Sequence, residues 1–139
     1  MVSNETDRIL AKIGRLPAED TEYPLDGTLL HAEVDWNCVA PAIFKNRGNS
    51  IVFRWADLDR LGDALLDLWD AEEPKNRWAE IEYLIQGDSF QVAYNYKEDI
   101  DPEERPLARR DRIVKRYFGD KPIVYPPWPE DDDIPSYDL

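Results

Sequence analysis

The chain has 139 residues, which is the size of one folded domain and leaves no room for a second sizeable core. Its 30 acidic and 17 basic residues give a formal net charge of −13, which disfavours DNA, RNA or an anionic membrane surface as a partner and favours a basic one. One cysteine excludes an intrachain disulfide, and no basic region followed by an apolar run marks a Sec-type signal, so we expect a soluble cytoplasmic protein.

The first half of the chain is predicted to hold one helix and two strands. Apolar residues recur at helical spacing over residues 4–16, and Pro17 ends that helix. Apolar and polar residues alternate over residues 28–36, which is typical of a half-buried strand. A loop containing Pro41 is then predicted to lead into a second strand at residues 50–55, a stretch rich in β-branched and aromatic residues.

The second half is predicted to hold a helix, a hairpin and a last helix. The helix at 57–71 has the clearest pattern, with an apolar sector formed by Leu58, Leu61, Leu65, Leu68 and Trp69. Alternation on both sides of a turn at 86–89 predicts a hairpin over residues 77–96. The last helix is predicted at 107–118, because a proline precedes it and a glycine follows it.

These elements predict an α+β fold in the order α-β-β-α-β-β-α. Both strand pairs have short connections, so we expect an antiparallel sheet of four or slightly more strands, packed with helices as a two-layer sandwich. One domain is predicted at residues 1–125. An acidic, proline-rich tail is predicted at residues 126–139.

No catalytic residue, metal site or cofactor is predicted. His31 lies on the polar face of its predicted strand and is expected on the solvated surface, whereas Cys38 is expected to be buried and inert. Neither residue has a neighbour at the spacing of a catalytic triad or a zinc site. The acidic run at 131–133 lacks the spacing of a calcium loop, and the glycines form no phosphate-binding loop.

Paired carboxylates are the alternative that would make the chain an enzyme. Glu80 and Glu82 are predicted to project from one face of the hairpin, where two carboxylates can act as an acid and a base. Nothing in the sequence marks this pair as desolvated, so we expect a protein without enzymatic activity. A carboxylate-dependent hydrolase and an acidic housekeeping adaptor remain the alternatives.

The helix at 57–71 carries a line of aspartates opposite its leucines, here called the aspartate stripe: Asp59, Asp63, Asp67 and Asp70. Like charges at this spacing destabilise a helix, and negative charge is disfavoured near a helix C-terminus. Two interpretations are open, a solubilising face or a surface that meets a basic protein. Under the second, the predicted binding residues are the stripe together with Glu80 and Glu82.

The basic residues cluster around the last helix. They are Arg105, Arg109, Arg110, Arg112, Lys115 and Arg116. Such a cluster is typical of a phosphate-binding face. The net charge of −13 instead favours internal pairing of these side chains with the acidic sheet or tail.

Four segments between the hairpin and the last helix share the pattern of a known family: Trp78-Ala79-Glu80-Ile81-Glu82-Tyr83, Gly87-Asp88-Ser89-Phe90-Gln91-Val92-Ala93-Tyr94-Asn95-Tyr96, Pro102-Glu103-Glu104-Arg105 and Arg116-Tyr117-Phe118-Gly119. In these segments, which cover about a third of the chain, the sequence resembles the YezG-type immunity (antitoxin) family of bacteria. This resemblance implies a small cytoplasmic protein that binds and neutralises a cognate toxin domain, often a nuclease. It implies no catalytic residues, and it carries over no partner-binding residues because these vary with the toxin.

The expected function is therefore that of an immunity protein for a secreted or contact-dependent polymorphic toxin. A nuclease toxin must carry positive charge to hold phosphates, and complementary fields speed association with an acidic inhibitor. Neither a nucleic acid nor a membrane is an expected partner.

Overall fold

A computed structural model of the protein describes residues 4–35, 38–54 and 57–125. The predicted tail at 126–139 and the predicted strand ends at Trp36 and Trp55 lie outside the described residues.

The described residues form an α+β fold with three α-helices and six strands. In chain order these are α1 (Asn4–Arg15), β1 (Thr28–Asp35), β2 (Cys38–Asn46), β3 (Ile51–Arg54), α2 (Leu58–Asp70), β4 (Glu80–Gln86), β5 (Ser89–Asn95), α3 (Pro106–Phe118) and β6 (Ile123–Val124). Short 3₁₀ helices occur at Pro17–Glu19, Pro74–Asn76 and Lys97–Asp99. The α+β class, the helix α2 and the β4–β5 hairpin agree with the predictions.

Over the described residues the sheet has six strands, where four or slightly more were predicted, and it is mixed rather than antiparallel. Its strand order is β5-β4-β1-β2-β3-β6, and β3 pairs with β6 in parallel. The prediction of a loop after β1 was wrong, because residues 38–46 form β2. Pro41 pairs with Ala32 of β1, whereas the described residues of β3 pair with positions 43–46 of β2. Within the described residues, Pro41 therefore has a strand neighbour on one side only, which is where a sheet tolerates a missing N–H group.

Helices cover both faces of the sheet, so the predicted two-layer sandwich was also wrong. Alternate residues of β1 and β4, such as Leu30 and Ile81, pack in one core with α1 and α2. Their neighbours Leu29 and Leu84 pack in a second core with Val114 of α3. Side chains on the predicted polar face of β1 and β4 are therefore largely covered by α3.

The apolar sector of α2, apart from the Leu58 side chain, which lies outside the described residues, anchors that helix on the sheet as predicted. Leu61, Leu65 and Leu68 are all buried in the core. Asp57 caps the helix by accepting a hydrogen bond from the backbone N–H of Arg60, at 3.1 Å. Because the leucines face inward, the opposite side of α2 faces solvent.

Candidate functional site

The aspartate stripe lies on the solvent side of α2. Asp59, Asp63, Asp67 and Asp70 are all exposed. Asp70 forms a long ion pair with Arg77, at 3.5 Å. Within the described part of the chain, the carboxylates of the other three have no hydrogen bond or ion pair. The stripe is thus a row of solvated negative charge.

Helix α1 packs beside α2 and borders the stripe on one side. Asp67 lines an open cleft of about 560 Å³ together with Glu5 and Ile9 of α1. It also lines a neighbouring cleft of about 280 Å³, to which Arg8 and Lys12 contribute. This basic border was missed by sequence reasoning, because spacing along α2 carries no information about which helix lies next to it.

Glu80 and Glu82 do not extend the stripe. Their side chains are 0% and 2% exposed, and they lie on the opposite face of the sheet, under α3. The prediction that both belong to one binding surface with α2 is therefore corrected. The physical reason is that strand alternation identifies a polar face but does not show whether water or a helix covers it.

Glu80 accepts hydrogen bonds from three side chains of different elements. Arg109 donates to both carboxylate oxygens, at 3.0 and 2.8 Å, and Asn95 donates to Oε1 at 2.6 Å. Nε2 of His31 lies 2.7 Å from Oε2. Burial alone raises the pKa of Glu80, but the hydrogen bonds from His31 and Arg109 outweigh it and lower the pKa to about 2.

Glu82, two residues further along β4, is held by hydrogen bonds in the same way. Asn95 donates to its Oε2 at 2.6 Å, while Arg116 and the hydroxyl of Tyr117 donate to its Oε1, the latter at 2.6 Å. Burial and the hydrogen bond to Glu82 raise the pKa of Tyr117 to about 12. Asn95 thus bridges the two carboxylates, and two arginines of α3 supply their counter-charges.

This buried carboxylate network, consisting of Glu80, Glu82 and the partners named above, is suited to holding α3 on the sheet. A general acid must be protonated near the working pH. Glu80 instead stays ionised at neutral pH, because its pKa is about 2. Its two oxygens are already occupied by donors, which leaves little room for a reacting group.

Three arginines of the predicted basic cluster form ion pairs with glutamates. Arg109 and Arg116 pair with the glutamates of the sheet, and Arg112 pairs with Glu104 at 2.8 Å. Internal pairing with the acidic sheet is confirmed for Arg109 and Arg116. A signal for this existed in the sequence, since these two arginines are seven residues apart and so lie on one side of a helix.

His31 and Cys38 lie differently from what was expected. His31 is only 3% exposed and contacts Glu80, so the prediction of a solvated histidine was wrong. Cys38 is exposed, so the prediction of a buried cysteine was wrong as well. The strand register places them opposite Ala42 and Asp35 respectively. Ala42 and Cys38 are four residues apart along β2, so His31 and Cys38 are separated by about 13 Å along the strand direction.

No group of three or more histidine, cysteine or acidic side chains among the described residues is arranged to hold a metal ion. None of the described helices is long and apolar enough to cross a membrane.

No protein-family model matches the sequence, and no curated protein matches it significantly.

Proposed function

We infer that the chain is an immunity protein that binds a basic toxin domain and neutralises it in the bacterial cytoplasm. The observation that carries this proposal is the aspartate stripe, an exposed row of carboxylates on α2. The toxin class comes from the resemblance of the region 78–119 to YezG-type immunity proteins.

The energetics of α2 support a partner rather than a purely solvated face. Asp59, Asp63 and Asp67 follow each other at i, i+4 spacing. Each such like-charge pair destabilises a helix by about 0.2–0.5 kcal/mol. Asp67 also stands in the last turn, where the helix dipole disfavours negative charge. A cationic partner removes these penalties, so part of the cost in the free protein is recovered on binding.

The net charge of −13 supports the same partner chemistry. A nuclease domain needs a positive groove for its phosphate substrate, and an acidic inhibitor is attracted to that groove before contact. Occupying the groove would block the nucleic acid.

The proposal is tested by protection of cells. The reading frames beside the gene are searched for a toxin domain, which is expressed alone and together with this chain, and we expect survival only with this chain. Failure of the wild-type chain to protect would contradict the proposal.

The role of the stripe is tested in the same assay with variants. Asp63→Asn combined with Asp67→Asn should protect less well at limiting expression. The matched control is Glu98→Gln combined with Asp99→Asn, which also removes two negative charges, but at exposed positions outside α2. Equal protection by both variants would leave the stripe without a role in binding.

A further inference from the structure

The two edges of the sheet differ in length. At one edge, β6 is only two residues long. At the other edge, β5 is seven residues long and pairs with β4 alone among the described strands. Long edge strands are normally protected against pairing with other chains by charges or prolines. The segment Ser89–Asn95 contains neither.

The free backbone groups of β5 can be assigned from its hydrogen bonds. The carbonyl of Asn95 accepts a hydrogen bond from the N–H of Ala79, so Asn95 points towards β4. Backbone direction alternates along an antiparallel strand. Phe90, Val92 and Tyr94 therefore point their N–H and C=O groups away from β4, towards the open edge.

The side chains of the same three residues form a partly uncovered apolar row. Phe90 stacks on Tyr83, with ring centroids 4.8 Å apart, yet it remains 41% exposed. Tyr94 packs against Trp78 at 5.4 Å, and both Val92 and Tyr94 are half-buried. Part of this row is accessible to water, above all the ring of Phe90, which is unfavourable for aromatic side chains.

We propose that β5 pairs antiparallel with β5 of a second copy of this chain, so that two six-stranded sheets join into one. In a register with two-fold symmetry about Val92, this residue pairs with Val92 of the other copy. Phe90 of each copy then pairs with Tyr94 of the other. All three pairs use the free backbone groups, and both aromatic pairs lie on the same face.

The charges near β5 are compatible with this register. No charged side chains face each other across the paired segment, so there is no like-charge penalty within it. Beyond the segment, Asp88 of one copy comes next to Tyr96 of the other, adjacent in the chain to Lys97. The net charge of −13 per copy acts at longer range and is screened by salt. Dimerisation should therefore strengthen with salt, opposite to the binding of a basic toxin.

Sedimentation equilibrium of the full chain across micromolar to millimolar concentrations, at low and high salt, is the first test. We expect a reversible dimer that tightens at high salt. A chain that stays monomeric throughout this range would overturn the proposal. This outcome would also be seen if the edge instead binds an extended segment of another protein.

Substitutions at Phe90 identify the edge. Phe90→Pro removes an N–H that has no partner among the described residues and places the proline ring against the other copy, twice by symmetry. It should weaken the dimer by at least about 100-fold. Phe90→Ala loses the same side chain but keeps the N–H, and should weaken the dimer by only about 2- to 30-fold. Equal dimerisation of Phe90→Pro and Phe90→Ala would exclude this pairing.

Amide hydrogen exchange on the wild-type chain gives an answer even if Phe90→Pro fails to fold. The amides of Phe90, Val92 and Tyr94 should become protected as concentration rises, whereas those of Gln91 and Ala93, bonded to β4, should be protected at every concentration. A dimer in which the first three amides still exchange rapidly would place the interface elsewhere.

Discussion

Removing the guanidinium of Arg109 tests whether the buried carboxylate network holds α3 on the sheet. Arg109 donates two hydrogen bonds to Glu80, whose side chain has no exposed surface. The change Arg109→Met keeps a long side chain but leaves the carboxylate with His31 and Asn95 as its remaining partners. Breaking a buried ion pair from one side costs about 3–5 kcal/mol, so we expect a loss of that size in the free energy of unfolding.

Urea unfolding at neutral pH, followed by tryptophan fluorescence and far-UV circular dichroism, measures this loss. The matched control is Arg112→Met, the same substitution three residues further along α3. Arg112 is itself exposed and pairs with Glu104 near the surface, so the control should lose little stability. If Arg109→Met were as stable as Arg112→Met, the reasoning would be refuted.

A double-mutant cycle shows whether the loss comes from the stranded charge. In a Glu80→Gln background, no buried carboxylate remains for Arg109 to compensate. Arg109→Met should therefore cost clearly less there than in the wild-type chain. An equal cost in both backgrounds would mean that Arg109 acts through packing alone.

Three further predictions follow from the burial and charges described above. The pKa of Glu80 is about 2 in the folded chain against 4.5 for the free group, so its ionised form contributes about 3 kcal/mol above about pH 5 and loses this as pH falls towards 2. Unfolding titrations should accordingly show a weaker acid dependence for Glu80→Gln, and an unchanged one would contradict this value. Leu65→Ala should cost about 2–5 kcal/mol in the same unfolding assay, and a loss below about 0.5 kcal/mol would reject the packing of α2. Cys38→Ala should change neither stability nor protection against the toxin, whereas His31→Ala should lower stability through Glu80 yet still protect cells where it is folded. Loss of protection by either folded variant would show a functional role for that residue.

Local patterns in the sequence predict the elements that carry one continuous apolar face. The leucines of α2 and the alternation of the hairpin each mark one apolar face, and the structure has both elements close to their predicted positions. The strand β2 was missed because Pro41 is typical of a loop. Among the described residues Pro41 has one neighbouring strand, which makes the proline acceptable, and that placement depends on the pairing of the whole sheet.

The placement of polar side chains depends on contacts that are distant in sequence. Glu80 and His31 are 49 residues apart, and Glu80 and Arg109 are 29 apart. On its own strand Glu80 has the pattern of a surface residue, and only the docking of α3 buries it. The exposure of the aspartate stripe, by contrast, follows from the amphipathic pattern of one helix and needs no distant contact.

Stopped-flow association with a toxin domain identified by the protection assay, at low and high salt, tests the central claim most directly. If the aspartate stripe steers binding, Asp63→Asn combined with Asp67→Asn should slow association and flatten its dependence on ionic strength, while folding stays intact or slightly improves. The control Glu98→Gln combined with Asp99→Asn should change both quantities less. An unchanged association rate and salt dependence in the stripe variant would show that the stripe is only a solvated face.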